Sequence, residues 1–126
     1  MIYNKKRCIF CNFNLNVVLE NKSCLAFYDA HPVSKGHLLI IPKNHKVDYF
    51  QLSFEEKIDM DDLIIRGKEF LDDLYKPDGY NIGLNSGEVA GQSVFHCHCH
   101  LIPRYKGDME NPKGGVRGVI PDKMNY

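Results

Sequence analysis

Apolar and polar positions change period twice along the chain, and each change marks a different element. Residues 15–20 (Leu-Asn-Val-Val-Leu-Glu) and 24–29 (Cys-Leu-Ala-Phe-Tyr-Asp) predict two short strands, with Asn21-Lys22-Ser23 as the hairpin turn between them. Residues 37–42 (His-Leu-Leu-Ile-Ile-Pro) are a continuous apolar run, whose shortness and two isoleucines predict a buried strand. The period then lengthens. Ser53 followed by Glu56 has the form of a capping box, and Glu55 and Glu56 suit the positive end of a helix dipole. Met60, Leu63, Ile64, Phe70, Leu71 and Leu74 recur at helical spacing, so one long helix is expected with these residues facing the core. Gly67 lies within that stripe, where it costs helix propensity but permits close approach to a sheet. Pro77 and the Asp78-Gly79 turn end the helix. Its other face (Glu55, Glu56, Asp59, Asp61, Asp62, Glu69, Asp72, Asp73) reads as solvated and unsuited to nucleic acid. The stretch Gly79–Leu84 predicts a fourth strand, and residues 93–105 contain a fifth. Strands, one long helix, then strands again define an α+β fold with a mainly antiparallel sheet.

The chain has 126 residues, the size of one domain, with a core at about residues 8–105 and a Gly-, Pro- and charge-rich tail over 106–126. No internal repeat or linker interrupts it. Sixteen Lys and Arg balance sixteen Asp and Glu, so bulk charge draws the protein to neither nucleic acid nor membrane. Any anionic ligand must be held by local groups. Lys5, Lys6 and Arg7 have no apolar stretch after them, so no signal peptide is expected, and no run has the length of a membrane span. The expected location is the cytoplasm. There, five cysteines, two of them in Cys8-Ile9-Phe10-Cys11, read as thiols or metal ligands rather than a disulfide framework.

The candidate chemistry sits in His96-Cys97-His98-Cys99-His100. On a strand these would alternate, with the three imidazoles on one exposed face and both cysteines toward the core. Two chemistries fit such a row. A His-x-His pair can supply ligands to a catalytic metal. Alternatively, a neutral imidazole can attack phosphorus, since its unperturbed pKa of about 6.5 leaves it largely unprotonated at neutral pH. Upstream, residues 85–94 (Asn-Ser-Gly-Glu-Val-Ala-Gly-Gln-Ser-Val) form a Gly-containing loop able to turn backbone N–H groups toward a phosphate. No Asp or Glu lies within the triad strand to complete a hydrolytic metal site. Loop and triad together favour phosphoryl chemistry.

The motif His96-Cys-His98-Cys-His100-Leu-Ile resembles the His-φ-His-φ-His-φ-φ signature of the histidine-triad (HIT) superfamily. Further blocks are similar in the same order: Cys8-Ile-Phe-Cys11, Leu25-Ala-Phe-Tyr-Asp29, Gly36-His37-Leu-Leu-Ile-Ile-Pro-Lys-Asn-His45 and Gly91-Gln-Ser-Val-Phe-His96. The resemblance implies a five-stranded antiparallel sheet with one long helix and short helices, and a homodimer in which the two sheets continue into one another. It implies a purine nucleotide (AMP-like) pocket and attack of the middle histidine on the α-phosphorus, giving a nucleotidyl-histidine that water then breaks down. By position, His98 is the nucleophile and His100 binds phosphate and passes a proton to the leaving group. Gly91, Gln92, Ser93 and Val94 lie in the phosphate loop, supported by Asn85 and His37. Asp29 accepts from ribose hydroxyls, and Ile9, Phe10 and Phe27 enclose the base, although plain core packing is an equal reading of these three.

Bacterial members with this CxxC bind a structural zinc ion. By resemblance the ligands here are Cys8, Cys11, His45 and His96, one closed tetrahedral site per chain; free thiols with an exposed His45 are the other reading. Asn85 resembles Hint-type phosphoramidases, whereas Fhit-type dinucleoside-polyphosphate hydrolases carry Gln there. His31, Arg104 and residues 110–117 lie outside this set and receive no role beyond a substrate-side or dimer contribution, with plain surface as the other reading. Beside the hydrolase reading stand a nucleotide-binding regulatory dimer with incidental catalysis and a metal-dependent hydrolase using all three histidines.

Overall fold

Ser53 caps the long helix as its spacing predicts. Its hydroxyl accepts from Glu56 N at 3.1 Å, and Glu56 Oε1 accepts from Ser53 N at 2.8 Å, which closes the reciprocal capping box. A computed structural model describes residues 5–12 and 14–126; residues 1–4 and Phe13, part of the stretch read as lacking a leader, lie outside the described residues. The elements are α1 (Ile9–Asn12), β1 (Val17–Glu20), β2 (Cys24–Tyr28), β3 (Leu38–Pro42), α2 (Phe54–Tyr75), β4 (Gly79–Leu84) and β5 (Cys99–Arg104). Short 3-10 turns occur at Lys5–Arg7, Tyr49–Gln51, Glu88–Ala90, Gly115–Val119 and Pro121–Lys123.

The strands form one open antiparallel sheet in the order β1-β2-β3-β5-β4. Its two faces differ because side chains alternate along each strand. Ala26, Leu38, Ile40, Cys99 and Leu101 pack under α2 with Met60, Leu63 and Leu71. On the reverse face, Phe27, Leu39 and Ile41 form a smaller cluster with Phe10, Leu15 and Leu25. The helix therefore covers one face and leaves the other for a site. Among the described residues, no helix is long and apolar enough to cross a membrane.

Several expectations are corrected. β1 begins at Val17, because Leu15 packs into the reverse-face cluster instead of joining the ladder. β2 ends at Tyr28, since the Asp29 carboxylate turns to accept from His31 N at 2.9 Å. β3 begins at Leu38 rather than His37. Leu74 is 54% exposed, and the core-facing stripe of α2 runs from Leu71 to Tyr75 instead. The acidic face is not all solvated. Glu56 is buried and paired with Lys46 at 2.9 Å, while Asp59 accepts from Ser23 and Asp62 from Asn21, so the hairpin turn docks on the helix. The tail folds back on β4, where a Cβ built on Gly115 would stand 3.3 Å from Asn81 Nδ2.

Gly67 is buried in α2, and a Cβ there would approach Leu101 Cδ2 to 2.9 Å and Leu38 Cδ1 to 3.5 Å. Both methyl groups belong to fully buried side chains with little room to yield. Gly67→Val should therefore destabilise the fold by about 2 kcal/mol despite a better helix propensity than glycine. Chemical denaturation checks this as a lowered midpoint at unchanged m value.

Candidate functional site

The triad is not three equivalent side chains on an exposed strand. β5 starts at Cys99, so only His100 of the three lies within it, and His96 and His98 lie on the extended approach. Alternation nevertheless survives, with Cys97 and Cys99 in the helix-side core. Nor is the histidine row exposed, since His96 is 1% and His98 8% accessible. Packing against α1 covers them: Phe10 meets His98 edge-on at 5.3 Å and His96 at 6.0 Å.

Backbone carbonyls fix the tautomers of two rings. A carbonyl only accepts, so His98 donates through Nδ1 to His96 O at 2.8 Å, and its Nε2 carries the lone pair. His96 likewise donates through Nε2 to Pro42 O at 2.8 Å, which leaves Nδ1 as its lone-pair nitrogen. That Nδ1 lies 3.3 Å from Cys8 Sγ and 3.4 Å from Cys11 Sγ, and His45 Nδ1 is 3.4 Å from Cys11 Sγ. All four ligand atoms lie within 4.8 Å of one another. A tetrahedron with ordinary Zn–S and Zn–N lengths has S···N edges of about 3.5 Å, so the donor set fits a metal ion of that size. The carbonyl bond on His96 is the outer support that metal-binding histidines commonly have. Burial and the neighbouring Cys8 push the Cys11 thiol up to about 11, so a metal ion bound there would have to displace its proton.

A second relay holds His100. His37 Nδ1 accepts from Val33 N at 3.0 Å, so the neutral His37 ring carries its proton on Nε2 and donates it to His100 Nδ1 at 2.9 Å. His100 must then bear its own proton on Nε2, as a donor. Asp29 Oδ2 lies 3.5 Å from His37 Nε2. Burial holds His37, His96 and His98 below the usual histidine range. Burial, with the added repulsion of His98 and His37, takes His100 to about 4. All the rings are therefore neutral at pH 7.

His98 and His100 open on a cavity of about 700 Å³ on the reverse face of the sheet. Ile9, Phe10 and Phe27 form its apolar wall, with Phe10 and Phe27 edge-to-face at 5.3 Å. Asp29 lies at its rim, and Asn85, Gly91, Ser93 and Val94 line the loop side. Gly87 and Gly91 adopt φ of 96° and 95°, backbone that favours glycine and lets the loop double back. Gln92 is placed differently. It is buried and spends its amide inside the loop, where Oε1 accepts from Gly87 N at 2.8 Å. Its Nε2 donates to Val47 O at 2.6 Å and Val94 O at 3.1 Å. His37 also stays off the cavity and reaches it through His100. Asn14 and Asn16 line the cavity without having been singled out in the sequence, and His31, left outside the carried-over set, lines it too. A histidine two positions beyond the strand-ending aspartate was the available signal for His31.

An open antiparallel sheet under one helix, with a histidine-lined cavity on its bare face, defines an α+β protein with a preformed cleft. The sequence matches the HIT domain family over residues 12–107, and the chain belongs to that family. An uncharacterized HIT-like protein of Methanocaldococcus jannaschii is 41% identical over 126 aligned positions, covering 93% of this chain and 95% of the relative. The adenosine 5'-monophosphoramidase of Schizosaccharomyces pombe is 36% identical, covering 77% of this chain and 74% of the relative. A Zn-bound histidine triad family protein from Mycobacterium smegmatis superposes with a TM-score of 0.76 at 32% identity, over 86% of this chain and 82% of that one.

His100 stays neutral in the folded protein where an unfolded chain would protonate near the ordinary value, so the stability it contributes is complete above about pH 6.5. That stability is lost as the pH falls through about 4, the folded value. NMR titration of the imidazole C–H resonances should show His100 titrating near pH 4; a midpoint in the ordinary histidine range would contradict the relay through His37.

Proposed function

We propose that this chain is a nucleotide hydrolase or nucleotidyl transferase that works through a nucleotidyl-histidine at His98. The observation that carries this reading is the bond from His98 Nδ1 to His96 O, which commits Nε2 to nucleophilic use at the cavity wall. In the proposed sequence, His98 Nε2 forms the bond to the α-phosphorus of an AMP-like group. The bond from phosphorus to the leaving group breaks, and its electron pair departs with that group, which takes a proton from His100 Nε2. Water then attacks phosphorus, gives a proton back to His100 Nε2, and the N–P electron pair returns to His98 Nε2. Charge on the phosphoryl oxygens is met by the Ser93 hydroxyl, the Asn85 amide and the backbone N–H of Val94, donors held in place before reaction, while the Gly91 N–H is spent on Glu88 O at 3.0 Å and Gly91 serves by its turn. Asp29 accepts from ribose hydroxyls, and Ile9, Phe10 and Phe27 enclose the base.

The relative named as a phosphoramidase, together with Asn85, favours a nucleoside phosphoramidate; a dinucleoside polyphosphate offers the same phosphorus. The triad's division argues against a metal held by all three histidines, since His96 turns to the cysteines and His100 to His37. Zinc on Cys8, Cys11, His45 and His96 would be structural, tying α1 to the triad segment. We also propose a homodimer that extends the sheet along the β4 edge, and a reducing cytoplasm that keeps the thiols available.

His98→Ala should cut AMP release from adenosine 5'-phosphoramidate on the order of 10³-fold or more with metal content and circular dichroism unchanged. Turnover near the wild-type rate would sink the nucleophile assignment. Native protein should contain about one zinc per chain by mass spectrometry. Cys11→Ser or chelation should remove it and lower Tm, because metal binding is coupled to folding; well under one zinc per chain would rule the site out.

A further inference from the structure

Residues 43–48 lie between the end of β3 and the turn Tyr49–Gln51, and they belong to no helix or strand. Neither a ladder nor a helix fixes their position, yet two of their carbonyls reach the site. Lys46 O accepts from Cys97 N at 2.7 Å, and Val47 O accepts from Gln92 Nε2 at 2.6 Å. The first of these bonds acts on the nucleophile. Cys97 N and His96 O belong to one peptide group, and a peptide group is planar. Its N–H is held by Lys46 O, and its oxygen is the acceptor for His98 Nδ1 at 2.8 Å. A rotation of that plane would carry the His98 acceptor with it.

The Lys46 side chain supplies the anchorage that the backbone of this segment lacks. Its Nζ donates to Glu56 Oε1 at 2.9 Å and to Gln51 O at 3.3 Å, bridging the start of α2 and the turn before it. Val47 N adds a bond to Gln51 Oε1 at 2.9 Å. Glu56 is more than its capping role requires. The cap uses Oε1 as an acceptor for Ser53 N at 2.8 Å, which a neutral glutamine provides equally well. Glu56 instead carries a charge at 3% exposure, and its Oε2 has no hydrogen-bond partner among the described residues. Burying a carboxylate is costly, so the cap calls for no charge there, whereas the Lys46 ammonium does.

We propose that Lys46 is a positioning residue: held by Glu56, it sets the peptide plane that orients His98. The inference rests on the nucleotidyl-histidine reading and adds to it a residue outside the cavity. The test follows AMP release from adenosine 5'-phosphoramidate by the full chain, together with ring-nitrogen NMR of His98. Lys46→Met and Glu56→Gln should each lower kcat about tenfold or more. KM should change less than kcat, because the base wall and Asp29 are untouched. In these variants His98 should populate both tautomers, against the Nδ1–H form alone in wild type. The double variant leaves no unpaired buried charge, so it reads the same effect if Lys46→Met alone fails to fold. Lys46→Arg should retain most of kcat, since it keeps the charge. Ser53→Ala removes a cap contact that does not touch Lys46, so it should lower Tm and leave kcat and the tautomer unchanged. Wild-type kcat in both Glu56→Gln and the double variant would overturn the proposal, as would an equal loss of kcat in Ser53→Ala. A fall in kcat with an unchanged tautomer would overturn the route through the His96–Cys97 peptide. No AMP release by wild-type protein would overturn the nucleotide reading, while the His98 tautomer would still decide the role of Lys46.

Discussion

His96 donates through Nε2 to the carbonyl of Pro42 at 2.8 Å, and this bond between the triad segment and the end of β3 determines which way two chemistries face. With Nε2 occupied, Nδ1 points into the Cys8–Cys11–His45 cluster. The carbonyl of His96 in turn accepts from His98 Nδ1 and turns the next imidazole the other way around. Two successive rings therefore present opposite nitrogens. One faces the cysteine–histidine cluster and the other the cavity, through main-chain acceptors that do not titrate.

The segment between β3 and α2 holds this arrangement. The carbonyl of Lys46 accepts from Cys97 N at 2.7 Å and that of Val47 from Gln92 Nε2 at 2.6 Å, while Lys46 Nζ reaches the buried Glu56 at 2.9 Å. Helix cap, candidate metal ligand His45, triad and Gly-containing loop thus meet within three residues of chain. Gln92 acts here as a loop clamp, since every polar atom of its amide is spent inside the protein. A buried charge such as Glu56 is costly to remove from water and is tolerated because Lys46, Ser53 and the helix N-terminus all face it.

α1 joins the metal cluster to the cavity. In four residues it supplies Cys11 to the cluster and Ile9 and Phe10 to the cavity wall. So short a helix has little stability of its own. Its position depends on the cysteine–histidine cluster at one side and on Phe10 packing against Phe27 and His98 at the other. The apolar wall of the cavity is in this sense an outcome of the cysteine–histidine cluster's geometry.

Local periodicity determined much of this protein. The capping box at Ser53, the helix stripe from Met60 to Leu71, the hairpin at residues 21–23 and the bounds of β4 follow from spacing and turn chemistry, which act within a few residues. The alternation that sends Cys97 and Cys99 to the core is equally local, and resemblance in ordered motifs identified the family. Other features were decided only by the tertiary structure. These are the start of β5 at Cys99, the burial of His96 and His98 beneath α1, the burial of Glu56, the inward use of Gln92 and the choice of nitrogen on each ring. Several depend on a partner dozens of residues away, such as Pro42 for His96 or Val47 for Gln92, and the acceptor that His98 finds on His96 is itself placed by that long-range bond. A hydrogen-bond acceptor supplied by a distant backbone leaves no trace in side-chain periodicity. The sequence therefore marked where the histidines are, and long-range packing decided what each of them can do.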